Sequence, residues 1–223
     1  MFCLWCNNEI IIEISWVNVI KPSKPKKLCH DCSHKLEVIK GSRCSVCSRS
    51  YQGDICYDCE RWKTDDPLVF NHSLFTYNER MQEIIAKWKY RGDYILGEVF
   101  RDLFLETFHT VFSFLNNDAV VVPIPLSEER MLERGFNQAK VLANFLPLET
   151  KSVMTRIFSE KQAKKTRRER ISMRNPFNLQ EKINKSVVLV DDIYTTGTTL
   201  RHAATLLKQN GCPKIYSYTL IRG

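Results

Sequence analysis

No apolar run in this 223-residue chain approaches the roughly 18 residues that a membrane-crossing helix needs, so no such span is expected. The first ten residues, MFCLWCNNEI, have neither the basic start nor the apolar core of a secretory leader. A soluble, cytoplasmic protein is the expectation. Neither GxxxxGK[ST] nor GxGxxG occurs, which removes the nucleotide P-loop and the dinucleotide-binding turn. Cysteine is nearly absent after residue 59, where only Cys212 remains of nine.

The other eight cysteines form four CxxC pairs: Cys3/Cys6, Cys29/Cys32, Cys44/Cys47 and Cys56/Cys59. A CxxC turn sets two sulfurs on one side of a tight loop, which is half of a tetrahedral Zn²⁺ site. In a reducing compartment such pairs stay thiols and read as metal ligands. Redox dithiols are the rival, and four pairs crowded into one segment favour metal. Sequential use joins Cys3/Cys6 to Cys29/Cys32 and Cys44/Cys47 to Cys56/Cys59; an interleaved cross-brace exchanges partners, and both remain open at this point. His30 and His34 are spare nitrogen donors for sites that already have a fourth cysteine. Two structural Zn²⁺ would supply the stability that so small a module cannot obtain from packing. The formal net charge of +8 then falls to about +4. The positive surplus lies in residues 63–223, with 24 Lys and Arg against 18 acids, and would attract phosphate-bearing ligands or nucleic acid without singling out either.

Composition divides the chain into a metal-stapled module at 1–62, a linker at 63–74 and a larger domain at 75–223. The Ile-rich segment after Cys6, broken by KPSKPKK, suits the hairpin of a zinc ribbon. In the larger domain SLFTYN reads as a strand. ERMQEIIAKWKYRGD reads as a helix with Met81, Ile84, Ile85 and Trp88 on one stripe. A second helix over 94–115 carries Phe100, Phe104, Phe108 and Phe112 at helical spacing, as a core face requires. VVVPIP is a buried strand ending in prolines, followed by a helix interrupted near Gly135. KSVVLV and KIYSYTLI are further strands, with a helix over 198–211 between them. This alternation predicts an α/β fold, a mostly parallel sheet covered by helices on both faces.

The stretch VVLVDDIYTTGTTL, 187–200, carries the chemistry. The spacing predicts a strand ending at Val190 and a helix starting near Gly197, with Asp191 and Asp192 in the turn between. That turn would lie at the carboxyl edge of the sheet, where α/β folds bind ligands. A helix start offers free backbone N–H groups and the positive end of a dipole. Thr195, Thr196, Thr198 and Thr199 add hydroxyls, and Gly197 admits close approach. Two adjacent acids repel a phosphate but accept hydrogen bonds from sugar hydroxyls. A ribose 5-phosphate satisfies both ends. The bland alternative is a strand–turn–helix whose acids are simply exposed.

VVLVDDIYTTGTT resembles the phosphoribosyl pyrophosphate (PRPP) signature of type I phosphoribosyltransferases. The wider order is the four CxxC pairs, KWKYRGD, VVPIPLSEERMLERGFNQA, then Gln162, Arg170 and Asn175, then the PRPP motif. It resembles the ComF/ComFC family over essentially the whole chain. That resemblance implies a double zinc ribbon joined to a phosphoribosyltransferase-like domain, with an association with DNA uptake in natural competence. It implies that Asp191 and Asp192 hold the ribose hydroxyls and that Thr195, Thr196, Gly197, Thr198 and Thr199 hold the 5-phosphate. Pro125, Leu126 and Ser127 would form the pyrophosphate loop, with Arg130 and Arg134 as its cations, and Mg²⁺ would bridge pyrophosphate and sugar. A flexible loop within 155–178 would supply Arg167, Arg168 and Arg170.

The resemblance implies a PRPP-binding protein that acts in the import of transforming single-stranded DNA, recruited by a competence helicase or ATPase to the inner face of the cytoplasmic membrane. A true transferase of nucleotide salvage, acting on a nucleobase or another nitrogen acceptor, is the alternative. A zinc-ribbon adaptor that senses a ligand for a DNA-translocating ATPase is a third. The last strand reaches the end of the sequence, so a base-recognising hood is expected before residue 75 or within 155–178. No residue reads as the catalytic base. The basic segment 161–174 reads as a solvated face or a nucleic-acid contact, and Trp5, Trp16, Tyr51, Tyr57 and Trp62 as shields for the metal sites or platforms for bases.

Overall fold

The computed structural model describes residues 1–11, 25–90, 92–115, 118–157 and 175–223. The segment expected to form the ribbon hairpin at 12–24, with Trp16, lies outside the described residues, as do Gln162, Arg167, Arg168 and Arg170.

Valine-rich and tyrosine-rich runs form a five-stranded parallel sheet. Its strands are β1 (Asn71–Thr76), β2 (Val120–Pro123), β3 (Glu149–Thr150), β6 (Val187–Tyr194) and β7 (Ile215–Arg222), in the order β1-β7-β6-β2-β3. A separate antiparallel pair joins β4 (Met154–Arg156) to β5 (Phe177–Leu179). Strand β6 shows why both sheet faces need cover. Val188 and Val190 point into one core, and Val187 and Leu189 into the other, all fully buried. Each such side chain contributes about 1.5–3 kcal/mol on burial.

Helices α3 (Glu79–Tyr90), α4 (Glu98–Val111) and α6 (Gln138–Ala143) cover the first face, and α7 (Thr198–Gln209) covers the second. The aromatic stripe of α4 is core as expected. Phe104 stacks on Tyr218 at 4.1 Å, and the Tyr218 hydroxyl donates to the Phe104 carbonyl at 2.8 Å. Short α5 (Glu128–Arg134) ends at Gly135, whose φ of 74° gives the left-handed turn that separates it from α6.

The cysteine module repeats one design twice. Cys3–Cys6 and Cys44–Cys47 each form a tight turn closed by a left-handed residue, Asn7 (φ 62°) and Ser48 (φ 60°). Cys29 and Cys56 then start the short helices α1 (His30–His34) and α2 (Tyr57–Glu60), which carry Cys32 and Cys59. The module lies along the outer edge of β1. Asn71 N–H donates to Val46 O, Ser73 N–H to Ser48 Oγ and Thr76 N–H to Glu37 O, while Leu74 O accepts from Ile39 N–H. The stretch 63–74, expected as a linker, therefore has its last four residues in β1. Asn71, placed by sequence in the linker, and Ser73, at the start of the expected strand, are buried and paired with Ser217 and Thr219 of β7 at 2.9 and 2.7 Å.

Candidate functional site

The sheet order creates the site. Strand β2 leads toward β3, whereas its neighbour β6 leads through α7 to β7 on the opposite side. Loops leaving two adjacent parallel strands in opposite directions open a crevice at their carboxyl ends. Ile124 N–H donates to Val190 O at 2.9 Å, so the loop Pro125–Ser127 starts level with Asp191. Ser127 caps α5, its Oγ accepting from Arg130 N–H at 3.4 Å.

Asp191 and Asp192 are in β6, not beyond it, because the strand continues to Tyr194 and Asp191 pairs with Thr219 of β7. The strand thus runs four residues past the expected end at Val190 and carries both acids into the sheet. Two devices offset the cost of burying them. Asp192 N–H donates to Asp191 Oδ1 at 2.8 Å, and Lys89, in the last turn of α3, forms an ion pair with Asp192 Oδ2. Burial and the adjacent Asp192 push the Asp191 carboxyl up to about 8, against the pull of its backbone hydrogen bond and of Lys89. Asp191 thus keeps its proton more readily than an ordinary carboxyl and can donate as well as accept a hydrogen bond, which suits a polyhydroxyl ligand.

The turn after β6 brings together Thr195, Thr196, Gly197, Thr198 and Thr199. Thr195 and Thr196 are exposed, and the hydroxyls of Thr196 and Thr198 share a 2.9 Å hydrogen bond. Gly197 is the α7 N-cap with φ 73°, and a Cβ there would overlap the Tyr194 hydroxyl and the Arg201 guanidinium.

Of the expected pyrophosphate cations, Arg130 is exposed beside the loop. Arg134 is buried, donates to Gln138 Oε1 at 3.1 Å and lies over the Tyr90 ring at 5.8 Å. Lys89 belongs to KWKYRGD, whose lysines Lys87 and Lys89 could by sequence stand near the ligand or on a solvated helix face, and it reaches Asp192; Arg156 was not singled out in sequence. Arg156, on β4, lies near enough to Arg130 and Asp191 to feel both charges, with burial as the main cause of its lowered pKa. Asn175 donates to His202 O at 2.7 Å and accepts from Phe177 N–H at 3.0 Å, so it anchors the start of β5.

The cysteines gather in sequential order, which excludes the cross-brace. Cys3, Cys6, Cys29 and Cys32 form one cluster and Cys44, Cys47, Cys56 and Cys59 another, the sulfurs of each lying within 4.8 Å of one another. A tetrahedron with Zn–S bonds of about 2.3 Å has edges of about 3.8 Å. Cys6 and Cys29 sulfurs are 3.7 Å apart, as are those of Cys47 and Cys56, so both clusters fit structural Zn²⁺. Cys47 is held down at about 4 chiefly by the hydrogen bond with Cys59, whose own thiol is pushed up by the same contact. His30 and His34 contact each other at 3.0 Å and stand outside both clusters. Cys212 is a packing residue as expected, buried with its thiol on Ile183 O at 3.0 Å.

Comparison with known proteins agrees with this geometry. The family description Phosphoribosyl transferase domain matches residues 102–223. The chain is 36% identical over 230 residues to Competence protein ComFC of Bacillus subtilis (strain 168), covering all of this chain and 95% of that protein. It is 28% identical to Competence protein ComFC of Streptococcus pneumoniae (strain ATCC BAA-255 / R6), covering 100% of both. It is 27% identical to DNA utilization protein YhgH of Escherichia coli (strain K12), covering 87% of this chain and 96% of that one.

Proposed function

This chain belongs to the ComF/ComFC family, with a phosphoribosyl transferase domain as its larger part, and from that premise we propose that it binds PRPP in the crevice between β2 and β6 and acts on incoming single-stranded DNA in natural competence. One observation carries the ligand: a pair of acids on β6 is followed by a threonine-glycine turn just beyond its end, beside the loop leaving β2. Asp191 and Asp192 take the ribose hydroxyls, residues 195–199 the 5-phosphate, and Pro125, Leu126 and Ser127 the pyrophosphate. Arg130, Arg134 and Arg156 supply positive charge around that end. Mg²⁺ would neutralise pyrophosphate oxygens, held mainly by ligand and water, with Asp191 and Asp192 as the carboxylates at hand.

The DNA-handling part is supported by the names of the relatives and by an open groove of about 460 Å³ lined by Trp5, Glu83, Ala86, Lys87 and Tyr90. Two aromatic faces beside a lysine suit bases and a phosphate backbone. In this reading a competence ATPase is the partner that brings the protein to the inner face of the cytoplasmic membrane.

Calorimetry with Mg²⁺–PRPP tests the ligand assignment. The natural protein should bind, and Asp191→Ala/Asp192→Ala should not; equal affinity removes the assignment. A screen for pyrophosphate release from PRPP against candidate nitrogen acceptors separates the enzyme from the sensor: turnover with a base favours the salvage transferase, and binding without turnover favours the sensor. Binding of single-stranded oligonucleotides should weaken steeply with salt and with Trp5→Ala; no binding at low salt counts against the DNA contact.

A further inference from the structure

A phosphate cradle works only if backbone N–H groups face the ligand and carbonyls face away. In a planar trans peptide the carbonyl of one residue and the N–H of the next point in opposite directions. The turn after β6 has three consecutive carbonyls held from behind. Arg222 Nη1 donates to Tyr194 O at 3.2 Å and to Thr195 O at 2.9 Å, and Arg201 Nη1 donates to Thr196 O at 3.4 Å. The N–H groups of Thr195, Thr196 and Gly197 are thereby turned to the opposite side of the turn from the two guanidiniums.

Both arginines are almost wholly buried, Arg201 at 2% and Arg222 at 7% exposure, and both are tied to the cysteine-bearing end of the chain. Arg201 grips Asp66 through Nε and Nη2, the shorter contact being 2.7 Å, lies 4.7 Å over the Trp62 ring and donates to the Tyr194 hydroxyl at 2.7 Å. Arg222 lies 4.9 Å over the Tyr194 ring and donates through Nη2 to Cys47 Sγ at 3.6 Å. A buried guanidinium is costly unless its donors are used. Arg201 spends its donors on Thr196 O, the Tyr194 hydroxyl and Asp66; Arg222 spends its Nη donors on the turn carbonyls, Gly223 O and Cys47 Sγ, while its Nε has no partner among the described residues.

We propose that Arg201 and Arg222 are positioning residues that preset the turn 194–197 for a terminal phosphomonoester, with Asp66, Trp62 and Cys47 as their fixed supports. This rests on the reading that a sugar phosphate docks at that turn, and it adds how the turn acquires its donor geometry. Neither arginine touches the ligand. The module therefore contributes to ligand affinity without lining the crevice.

Calorimetry with three probes, Mg²⁺–PRPP, ribose 5-phosphate and inorganic pyrophosphate, separates positioning from general damage. Arg222→Met and Arg201→Met should weaken both 5-phosphate ligands by about tenfold or more, the scale of one charge-assisted hydrogen bond, and leave pyrophosphate nearly unchanged. Arg222→Lys should fall between them and the natural protein. Equal weakening of all three probes, or unchanged ribose 5-phosphate binding, overturns the proposal. If the methionine variants do not fold, Asp66→Asn, which loosens Arg201 from its outer side, should show the same selective loss. Amide exchange at residues 195–197 gives a readout that needs no ligand. Faster exchange in Asp66→Asn supports the proposal and unchanged exchange overturns it. A natural protein that binds neither ribose phosphate would remove the ligand reading alone, and the exchange comparison would still judge the arginines.

Discussion

Lys89 of α3 and Asp192 of β6 form an ion pair in which only 12% and 13% of the two side chains are exposed. The helix C-terminal turn delivers the cation, and the strand delivers the acid one position after Asp191. Removing one member of so shielded a pair leaves an unmatched charge beside a second carboxyl. Lys89→Met should lower stability at pH 7 by about 2–4 kcal/mol in urea unfolding. Lys89→Met/Asp192→Asn should recover most of that loss. Equal stability of the single and double variants would show that the pair is incidental.

Asp191 makes the free protein pH-sensitive. Its folded value is raised by burial and by Asp192 to about 8, above that of an unfolded chain. The folded state therefore holds a proton that the unfolded state has released between about pH 4 and 8, so stability falls as pH rises through that window. Asp191→Asn should flatten the fall and raise the thermal midpoint at pH 7, by about 2–4 °C for each kcal/mol regained. The same variant should lose PRPP binding. A steeper pH profile in the variant would reverse the sign assigned to Asp191.

Metal analysis should find about two Zn²⁺ per chain. The clusters differ in access: Cys6 is exposed and Cys29 half-buried, whereas Cys44, Cys47, Cys56 and Cys59 are all buried. A chromogenic chelator should remove one equivalent quickly and the second slowly, and Cys6→Ser should abolish only the fast phase. A single phase would contradict that difference in access.

Arg156 feels the charges of both Arg130 and Asp191. Arg156→Met should weaken PRPP by about tenfold while ribose 5-phosphate, which lacks the pyrophosphate, changes little. Similar losses for both would move Arg156 to the sugar end.

The β periodicity and the aromatic stripe of α4 were readable because a sheet covered on both faces demands continuous apolar strands, and a core helix demands one apolar face. The cysteine positions were readable as well, but their partition was not, since both pairings satisfy the same spacing. Continuation of β6 through Asp191 and Asp192 escaped notice because the compensating Lys89 comes from a helix about a hundred residues earlier. The roles of Arg201 and Arg222 escaped for a similar reason. Arg201 did leave a trace, because its helical spacing puts it with Ala204 on the inward stripe of α7, an odd place for a cation without a partner.

The ladder of bonds along β1 has a consequence for the chain's solubility. An unguarded border strand offers its N–H and C=O groups to any similar strand that drifts past. Here Val46, Ser48, Glu37 and Ile39 occupy that border. A polypeptide beginning after the cysteines would present it bare, and the neighbour best shaped to join it would be another copy of the same strand. The cysteine-bearing segment thus also serves as a fender against clumping.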